Sequence, residues 1–202
     1  AVYLAAGHSA RDVYAWLDAL HVPLAAKPFA VGVRIEHPQI MIDQSQYGGF
    51  AGQPALPPAT YKLNVKTPDH RGVYTFCMCP GGEVINASSE AGRLNINGMS
   101  RHARDGRNAN AALLVGVQPA DFGTPLQGIA FQRGIEEAAF AIAGGYQAPC
   151  QRVEDFLQGR PSHGFGAVQP SYRPGVVPAD IARVLPAFAA DNLRCTLPLL
   201  GQ

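Results

Sequence analysis

Apolar and polar positions alternate with a period of two in most of the segments between residues 29 and 118, a pattern typical of half-buried β-strands. The clearest case is 29–36, which Pro38 ends. Residues 73–78 and 83–87 flank the turn Cys79-Pro80-Gly81-Gly82, so they are predicted to form a hairpin. The other predicted strands are 2–6, which we expect to be buried, 61–66, 94–96 and 111–118.

Apolar residues recur every three or four positions between residues 10 and 20, which predicts a helix with a capping-box-like start at Ser9 and Asp12. Thr124, Pro125 and Gln127 predict a second capped start, for a helix that ends at Gly144. Further helical segments are predicted at 39–47, at 153–157 and at 178–191, the last with a break at Pro186.

Strands before residue 118 and helices after 124 predict an α+β fold, with a mixed or antiparallel sheet or a partial barrel and flanking helices. The 202 residues suffice for one domain with its own core, and 47% hydrophobic with 15% charged residues describe a globular chain. A net charge of +1 argues against binding to nucleic acid or an anionic membrane through bulk electrostatics. No apolar run approaches the ~20 residues of a membrane-spanning helix.

The four cysteines are not arranged like a disulfide framework. Cys77 and Cys79 are too close for an unstrained bridge, and Cys150 and Cys195 are distant from them in apolar surroundings. This usage predicts a reduced, cytoplasmic location. The chain starts inside an apolar run without an initiator Met and ends on apolar residues, so we expect it to be a domain of a longer protein.

Cys77 and Cys79 are candidate catalytic residues, because alternation along a strand places both on one face. Three interpretations stay open: a redox thiol pair, two soft ligands of a metal ion, or two small buried hydrophobic residues. The following Gly81 and Gly82 allow a ligand to approach the backbone closely, or simply form a turn.

Arg34, Glu36 and His37 lie near the end of a predicted strand. Arg34 and Glu36 point to one face, which an ion pair between strands would explain. The alternative assigns Arg34 to an anionic substrate or cofactor group and makes His37 a catalytic acid or base.

Residues 93–110 are rich in Arg, Asn and Gly. In one interpretation they form a loop that lines an active-site cleft and fixes a substrate carboxylate or phosphate. The candidate substrate residues, besides Arg34, are Asn97, Arg104, Asn108 and Asn110. The alternatives are a solvated loop and an RNA-contacting patch, and the latter lacks aromatic residues for base stacking.

No G-x-G-x-x-G motif follows a strand and no P-loop motif is present, so the usual dinucleotide-phosphate site would have to lie upstream. The segments 5–12, 27–39, 76–84 and 97–110 resemble a family of uncharacterised FAD-dependent dehydrogenases, two-domain flavoproteins. Within this resemblance Ala6 replaces the usual Thr of an Ala-Thr-Gly strand end. The hydrogen bond that such a hydroxyl makes is therefore not expected here.

The resemblance implies that residues 1–8 end a strand of the FAD-binding half and that 9–202 form an inserted, substrate-side domain. FAD would be held by the intact protein and not by this chain alone, which would be inactive. The rest of the same chain would be its partner, a small molecule its substrate, and Gly7, His8, Gly81 and Gly82 its cofactor contacts. The alternative function is a stand-alone binding module that uses Cys77 and Cys79 for a metal or a partner.

Overall fold

The computed structural model describes residues 2–7 and 9–200, and its α+β architecture confirms the predicted fold class. Its α-helices are α1 (Arg11–Ala19), α2 (Gln39–Tyr47), α3 (Pro119–Phe122), α4 (Pro125–Ala143), α5 (Val153–Leu157) and α6 (Ala187–Leu200). Its strands are β1 (Phe29–Pro38), β2 (Asn64–Lys66), β3 (Gly72–Cys79), β4 (Gly82–Asn86), β5 (Ile96–Ser100), β6 (Asn108–Val117), β7 (Ala148–Cys150) and β8 (Val176–Pro178).

The largest sheet has four antiparallel strands in the order β1-β6-β3-β2. β1 and β6 pair along their whole length, from Phe29 opposite Val117 to Pro38 opposite Asn108. β4 and β5 form a separate antiparallel pair, and β7 and β8 a parallel one. Within the described residues the large sheet is open, with β1 and β2 at its edges.

One face of the large sheet is buried by α6. Leu113, Val115 and Val73 are at most 1% exposed and pack in one cluster with Leu185 and Leu193. Removal of these aliphatic side chains from water is the main favourable contribution to folding. This cluster fixes the large sheet relative to the C-terminal helix.

The opposite face of the large sheet is much less covered. The odd-numbered positions of β6 are buried, whereas the even positions from 112 to 116 are partly exposed. Residues paired across antiparallel strands share a face, which extends this surface to β1 and β3. We call it the open face; its members are Ala30, Gly32, Arg34, Tyr74, Phe76, Ala112, Leu114 and Gly116.

α4 begins and ends where the sequence predicts. The Thr124 hydroxyl accepts a hydrogen bond from the Gln127 backbone N–H, and Gln127 Oε1 accepts one from the Thr124 N–H at 2.8 Å. The helix ends at Gly144, as predicted. The predicted α2 is also confirmed with its bounds, and α5 with its single turn.

The N-terminal predictions are only partly correct. α1 is confirmed, but Ala10 and not Ser9 is its N-cap residue, and no side chain caps it. The predicted buried strand over 2–6 is wrong. Val2 and Tyr3 are at least 90% exposed, and none of the described strands pairs with this segment. A strand without a neighbour leaves its backbone hydrogen bonds unmade, which explains the absence of regular structure.

α1 is attached to α4 by charged side chains. Arg11 donates to both carboxylate oxygens of Glu136, each at 2.8 Å, and to Glu90 at 3.0 Å. These side chains are 12–19% exposed, so the contacts are shielded from water. Hydrogen bonds to the two carboxylates raise the pKa of the Arg11 guanidinium above its usual value. No residue of α1 is itself buried, so Arg11 is its principal anchor.

The predicted hairpin of β3 and β4 is wrong. β3 pairs with β2 and β6, whereas β4 pairs with β5 in another sheet. The register between β3 and β6 shifts between Phe76 and Cys79, and Cys77 has a φ of +44°. A bulge of this kind bends a strand away from its ladder. The chain therefore leaves the large sheet at the Pro80-Gly81 turn. Hydrogen bonds from Gly81 to Gln39 and from Gly106 to Gly81 hold this turn in place.

Two boundaries differ from the sequence-based expectation. The polar segment 93–110 contains β5 and the start of β6, because polar side chains also fit a strand that another sheet covers. Near the C-terminus only a 3-10 turn forms over Ile181–Arg183, and α6 begins directly after Pro186 and continues to Leu200. Proline disfavours helical geometry in the residue before it, so the predicted break becomes the helix start.

Candidate functional site

A cavity of about 830 Å³ lies along β1. The open face, α4, β5, β7 and the segment 165–170 all contribute to its lining. Both Gly32 and Val33 line it, although they belong to opposite faces of β1, so the cavity follows the unpaired edge of that strand. Cavities of this order of volume hold ligands from drug size to cofactor size.

Arg34 lies in this cavity and contacts three neutral groups. Its Nη1 donates to Asn97 Oδ1 at 3.0 Å, and its Nη2 donates to the Cys77 carbonyl at 2.6 Å. Nη2 also lies 3.7 Å from Cys79 Sγ. Burial lowers the pKa of the Arg34 guanidinium below its usual value. The buried Arg34 Nε has no hydrogen-bond partner among the described residues.

Asn110 lies beside Arg34, beneath Gly98. It is fully buried, yet neither its Oδ1 nor its Nδ2 has a partner within residues 2–7 and 9–200. A Cβ at Gly98 would lie 2.2 Å from Asn110 Oδ1 and 2.5 Å from Arg34 Nη2, so only glycine allows this approach. Buried polar side chains are nearly always hydrogen-bonded, and exceptions mark sites with a further role. Arg34 and Asn110 form such an exception together.

Glu36 and Arg34 are not ion-paired with each other. Glu36 accepts from the Ser171 hydroxyl at 2.5 Å, from the Ser171 backbone N–H and from Asn108 Nδ2 at 3.2 Å. Ser171 also accepts from the Val84 N–H at 2.8 Å and thereby connects β1 to β4. The interpretation of an ion pair between strands is therefore wrong for the described residues, because neutral donors satisfy Glu36.

The two cysteines of β3 do not follow a regular alternation. The bulge falls between Phe76 and Cys79, so the argument that Cys77 and Cys79 share a face does not apply. Cys77 is exposed and Cys79 partly exposed, which also contradicts two fully buried hydrophobic residues. Burial raises the pKa of the Cys79 thiol, although Arg34 opposes this shift, and Cys79 Sγ donates to the Cys77 carbonyl at 3.2 Å.

Cys150 also lines the cavity, and burial, with a contribution from Glu36, raises its pKa to about 11. The thiolate is the nucleophile, so a raised pKa lowers the reactive fraction of the thiol at pH 7.

We expect iodoacetamide at pH 7 to alkylate the exposed Cys77 and Cys195 first and Cys150 about tenfold more slowly. The Cys150 rate should rise with pH as the pH approaches 11. Mass spectrometry of quenched samples measures this, and equal rates at pH 7 would contradict it.

Gly81 and Gly82 are buried against the protein itself. A Cβ at Gly81 would lie 1.9 Å from the Arg104 carbonyl oxygen, and one at Gly82 2.8 Å from the Met99 carbonyl oxygen. The Gly81 N–H donates to Gln39 Oε1 at 2.8 Å. Packing of the 101–107 loop therefore accounts for Gly81, and packing of β5 accounts for Gly82. The role of both glycines in cofactor binding stays a prediction.

The structure brings only some of the candidate residues together. Arg34 contacts Asn97, Cys77 and Cys79. Asn110 lies beside Arg34 at Gly98. The other candidates lie elsewhere or are already bonded, as follows. Asn108 binds Glu36 and the Gln169 carbonyl, Arg104 is exposed, His37 packs on Tyr61 with ring centroids 5.3 Å apart, Gly7 is exposed, and His8 lies outside the described residues.

His37 is placed poorly for chemistry in the cavity. Strand alternation turns it away from Arg34 and Glu36, and it does not line the cavity. Burial lowers the pKa of its imidazole, and its Nε2 has no hydrogen-bond partner among the described residues. Its role as an acid or base stays a prediction.

Sequence reasoning missed Ser171 and Cys150 as parts of this region. Ser171 is 135 positions from Glu36, and no sequence pattern links them. In the part of the chain that the structure describes, no group of three His, Cys, Asp or Glu side chains could hold a metal ion, so the metal-binding alternative gains no support. None of the described helices is long and apolar enough to cross a membrane.

Comparison with known proteins identifies the class of chain. The family described as "FAD-dependent protein, C-terminal domain-like" matches residues 28–202. An uncharacterized protein of Clostridium beijerinckii (strain ATCC 51743 / NCIMB 8052) is 49% identical over 198 residues. That match covers 96% of this chain and 37% of the relative, so the chain spans well under half of the relative's length. The prediction of an FAD-dependent family is thus confirmed, and the chain belongs to the family of FAD-dependent protein C-terminal-like domains.

Proposed function

We propose that this chain is the substrate-side domain of an FAD-dependent oxidoreductase. In the intact protein it lines the cleft between flavin and substrate, and alone it is inactive. Family membership supports the link to FAD, and the longer relative supports a second part of the protein. The inserted position of this domain within an FAD-binding fold is part of the proposal.

The cavity along β1 is the observation that carries the proposal. It combines a flat, small-residue surface with one uncompensated arginine. Ala30 and Ala112 line the cavity with small side chains, which favours the approach of a planar ring. Gly32 is required for a different reason, because an added Cβ would lie 1.9 Å from the Leu113 carbonyl oxygen. None of the described strands pairs with the outer edge of β1, which could therefore contact another part of the protein.

The residues present fit the ring end of FAD better than its diphosphate. The sequence has no glycine-rich dinucleotide fingerprint, so the phosphates require a βαβ unit from another segment. When bound, FAD supplies the redox chemistry, whereas this chain excludes water and orients the substrate. Cys77 and Cys79 are the chain's candidate redox groups beside Arg34.

Absorbance spectroscopy tests the proposed function. The purified 202-residue chain should show no visible flavin absorbance, and titration with it should leave FAD fluorescence unchanged. A longer protein that carries this domain should retain FAD through gel filtration. A chain that retains FAD stoichiometrically, or a longer protein that never binds FAD, would refute the proposal.

A further inference from the structure

Among the arginines that line the cavity, Arg34 differs in its electrostatic state. Arg11 pairs with Glu136 and Glu90, and Arg152 pairs with Glu154. Arg34 has no carboxylate within ion-pair distance in the described ranges, and its acceptors are an amide, a backbone carbonyl and a thiol. A partly buried cation without a counter-charge costs free energy that an anion would recover.

The guanidinium also has unused donors. It carries five N–H groups, and three of them are directed at Asn97, Cys77 and Cys79. One Nη1 hydrogen and the Nε hydrogen are left over. Asn97 uses only its Oδ1, which accepts from Arg34 and from the Gly98 N–H, so its Nδ2 remains a donor on the exposed side. Because Arg34 Nε is buried, the unused Nη1 hydrogen and Asn97 Nδ2 are the two donors available to a ligand.

Asn110 provides an independent observation at the same place. Its amide is fully buried and lacks partners for both polar atoms among the described residues. Packing alone would favour an apolar residue here, because an unsatisfied buried amide costs about 1–3 kcal/mol. Asn110 does not line the cavity, so its unmet hydrogen bonds mark an unsatisfied polar cluster behind Arg34, and Arg34 is the member of this cluster that a ligand can reach.

We propose that Arg34 and Asn97 bind the anionic group, a carboxylate or a phosphate, of a ligand whose body is apolar. Phe29, Val33 and Leu114 line the cavity and give it apolar walls. Arginine pairs with planar carboxylates and with phosphates through two parallel hydrogen bonds. The inference deepens the proposed function and rests on it only for the identity of the ligand, a substrate that carries a carboxylate or a phosphate.

Calorimetric or NMR titration of the 202-residue chain at low salt tests the inference, with benzoate and inorganic phosphate as probes. At least one probe should bind saturably, and Arg34→Gln should weaken it about tenfold or more, because a charge-assisted bond is lost. Arg34→Lys keeps the positive charge and should therefore lose less affinity for the probe than Arg34→Gln. Binding of benzoate alone indicates a substrate carboxylate, and binding of phosphate alone indicates a substrate phosphate.

Arg152→Gln is the matched control, because Arg152 lines the same cavity but already has Glu154 as its partner. It should change affinity by less than about twofold. Arg34→Gln should leave the melting temperature unchanged or raise it, whereas a structural arginine would lower it. Absence of saturable binding of both probes, or equal losses in the Arg34 and Arg152 variants, would overturn the inference.

These outcomes separate the two proposals. The titration contains no flavin, so its failure overturns the anion site and leaves the proposed function untouched. Conversely, a longer protein that binds no FAD would refute the function without affecting the anion site.

Discussion

Replacement of Gly81 by alanine is expected to lower the free energy of unfolding by about 3 kcal/mol, the sum of two effects. Gly81 has a φ of +52°, which costs an L-residue about 1–2 kcal/mol. The new Cβ would also lie 1.9 Å from the Arg104 carbonyl oxygen, and overpacking of this kind costs about 1–3 kcal/mol. Chemical denaturation of the chain measures the change.

Gly92→Ala is the matched control for Gly81→Ala. Gly92 has a φ of +73°, but no atom lies within 4 Å of an added Cβ. Its substitution should therefore cost only the conformational part, about 1 kcal/mol. An equal loss in both variants would show that the 101–107 loop does not press on the turn. The glycines would then be free to approach a cofactor, as the sequence motif alone suggests.

Arg11→Gln is expected to detach α1 from the rest of the domain. The helix has nine residues, no side-chain cap and no buried residue, and isolated helices of this length are marginal in water. Loss of a shielded ion pair that leaves its partner uncompensated costs about 3 kcal/mol. Amide hydrogen exchange in α1 should therefore accelerate about a hundredfold, whereas exchange in β6 should not change.

Arg93→Gln is the control for this experiment. Arg93 contacts Glu90 and Glu137 in the same network but makes no contact with α1. It should leave exchange in α1 nearly unchanged. If both variants loosen α1 equally, the network as a whole and not Arg11 holds the helix. If neither variant loosens α1, apolar contacts are sufficient to hold the helix on the domain.

Local signals predicted the elements that local physics determines. The capping box of Thr124 and Gln127 and the helix it starts depend on residues three positions apart. β1 could be predicted from the period-two alternation of its sequence, although all ten of its residues are partly exposed. The prediction that β3 and β4 form a hairpin was wrong, because a turn such as the one at Gly81 can connect strands of the same sheet or of different sheets. Which of these forms depends on distant groups that hold the turn, such as Gln39 and Gly106.

In the candidate site, too, the sequence indicated individual residues but not the contacts between distant parts of the chain. Arg34, Asn97 and Asn110 were recognisable as polar residues in unusual surroundings, and the structure brings them together around Gly98. Their juxtaposition depends on the packing of β5 on the large sheet, which no short-range pattern encodes. The bond between Glu36 and Ser171 spans 135 positions and could not be predicted. The bulge at Cys77 likewise reversed an argument from simple alternation.

Hydrogen exchange in a longer protein that carries this domain tests the central claim most directly. The claim is that the open face and the edge of β1 line the flavin cleft. Addition of FAD to the flavin-free protein should slow exchange of the unpaired amides in residues 29–36 and of the amides in residues 110–116. Exchange in α2 (Gln39–Tyr47), none of whose residues lines the cavity, should not change. Unaltered exchange in 29–36 with protection confined to the α6 side would contradict the account.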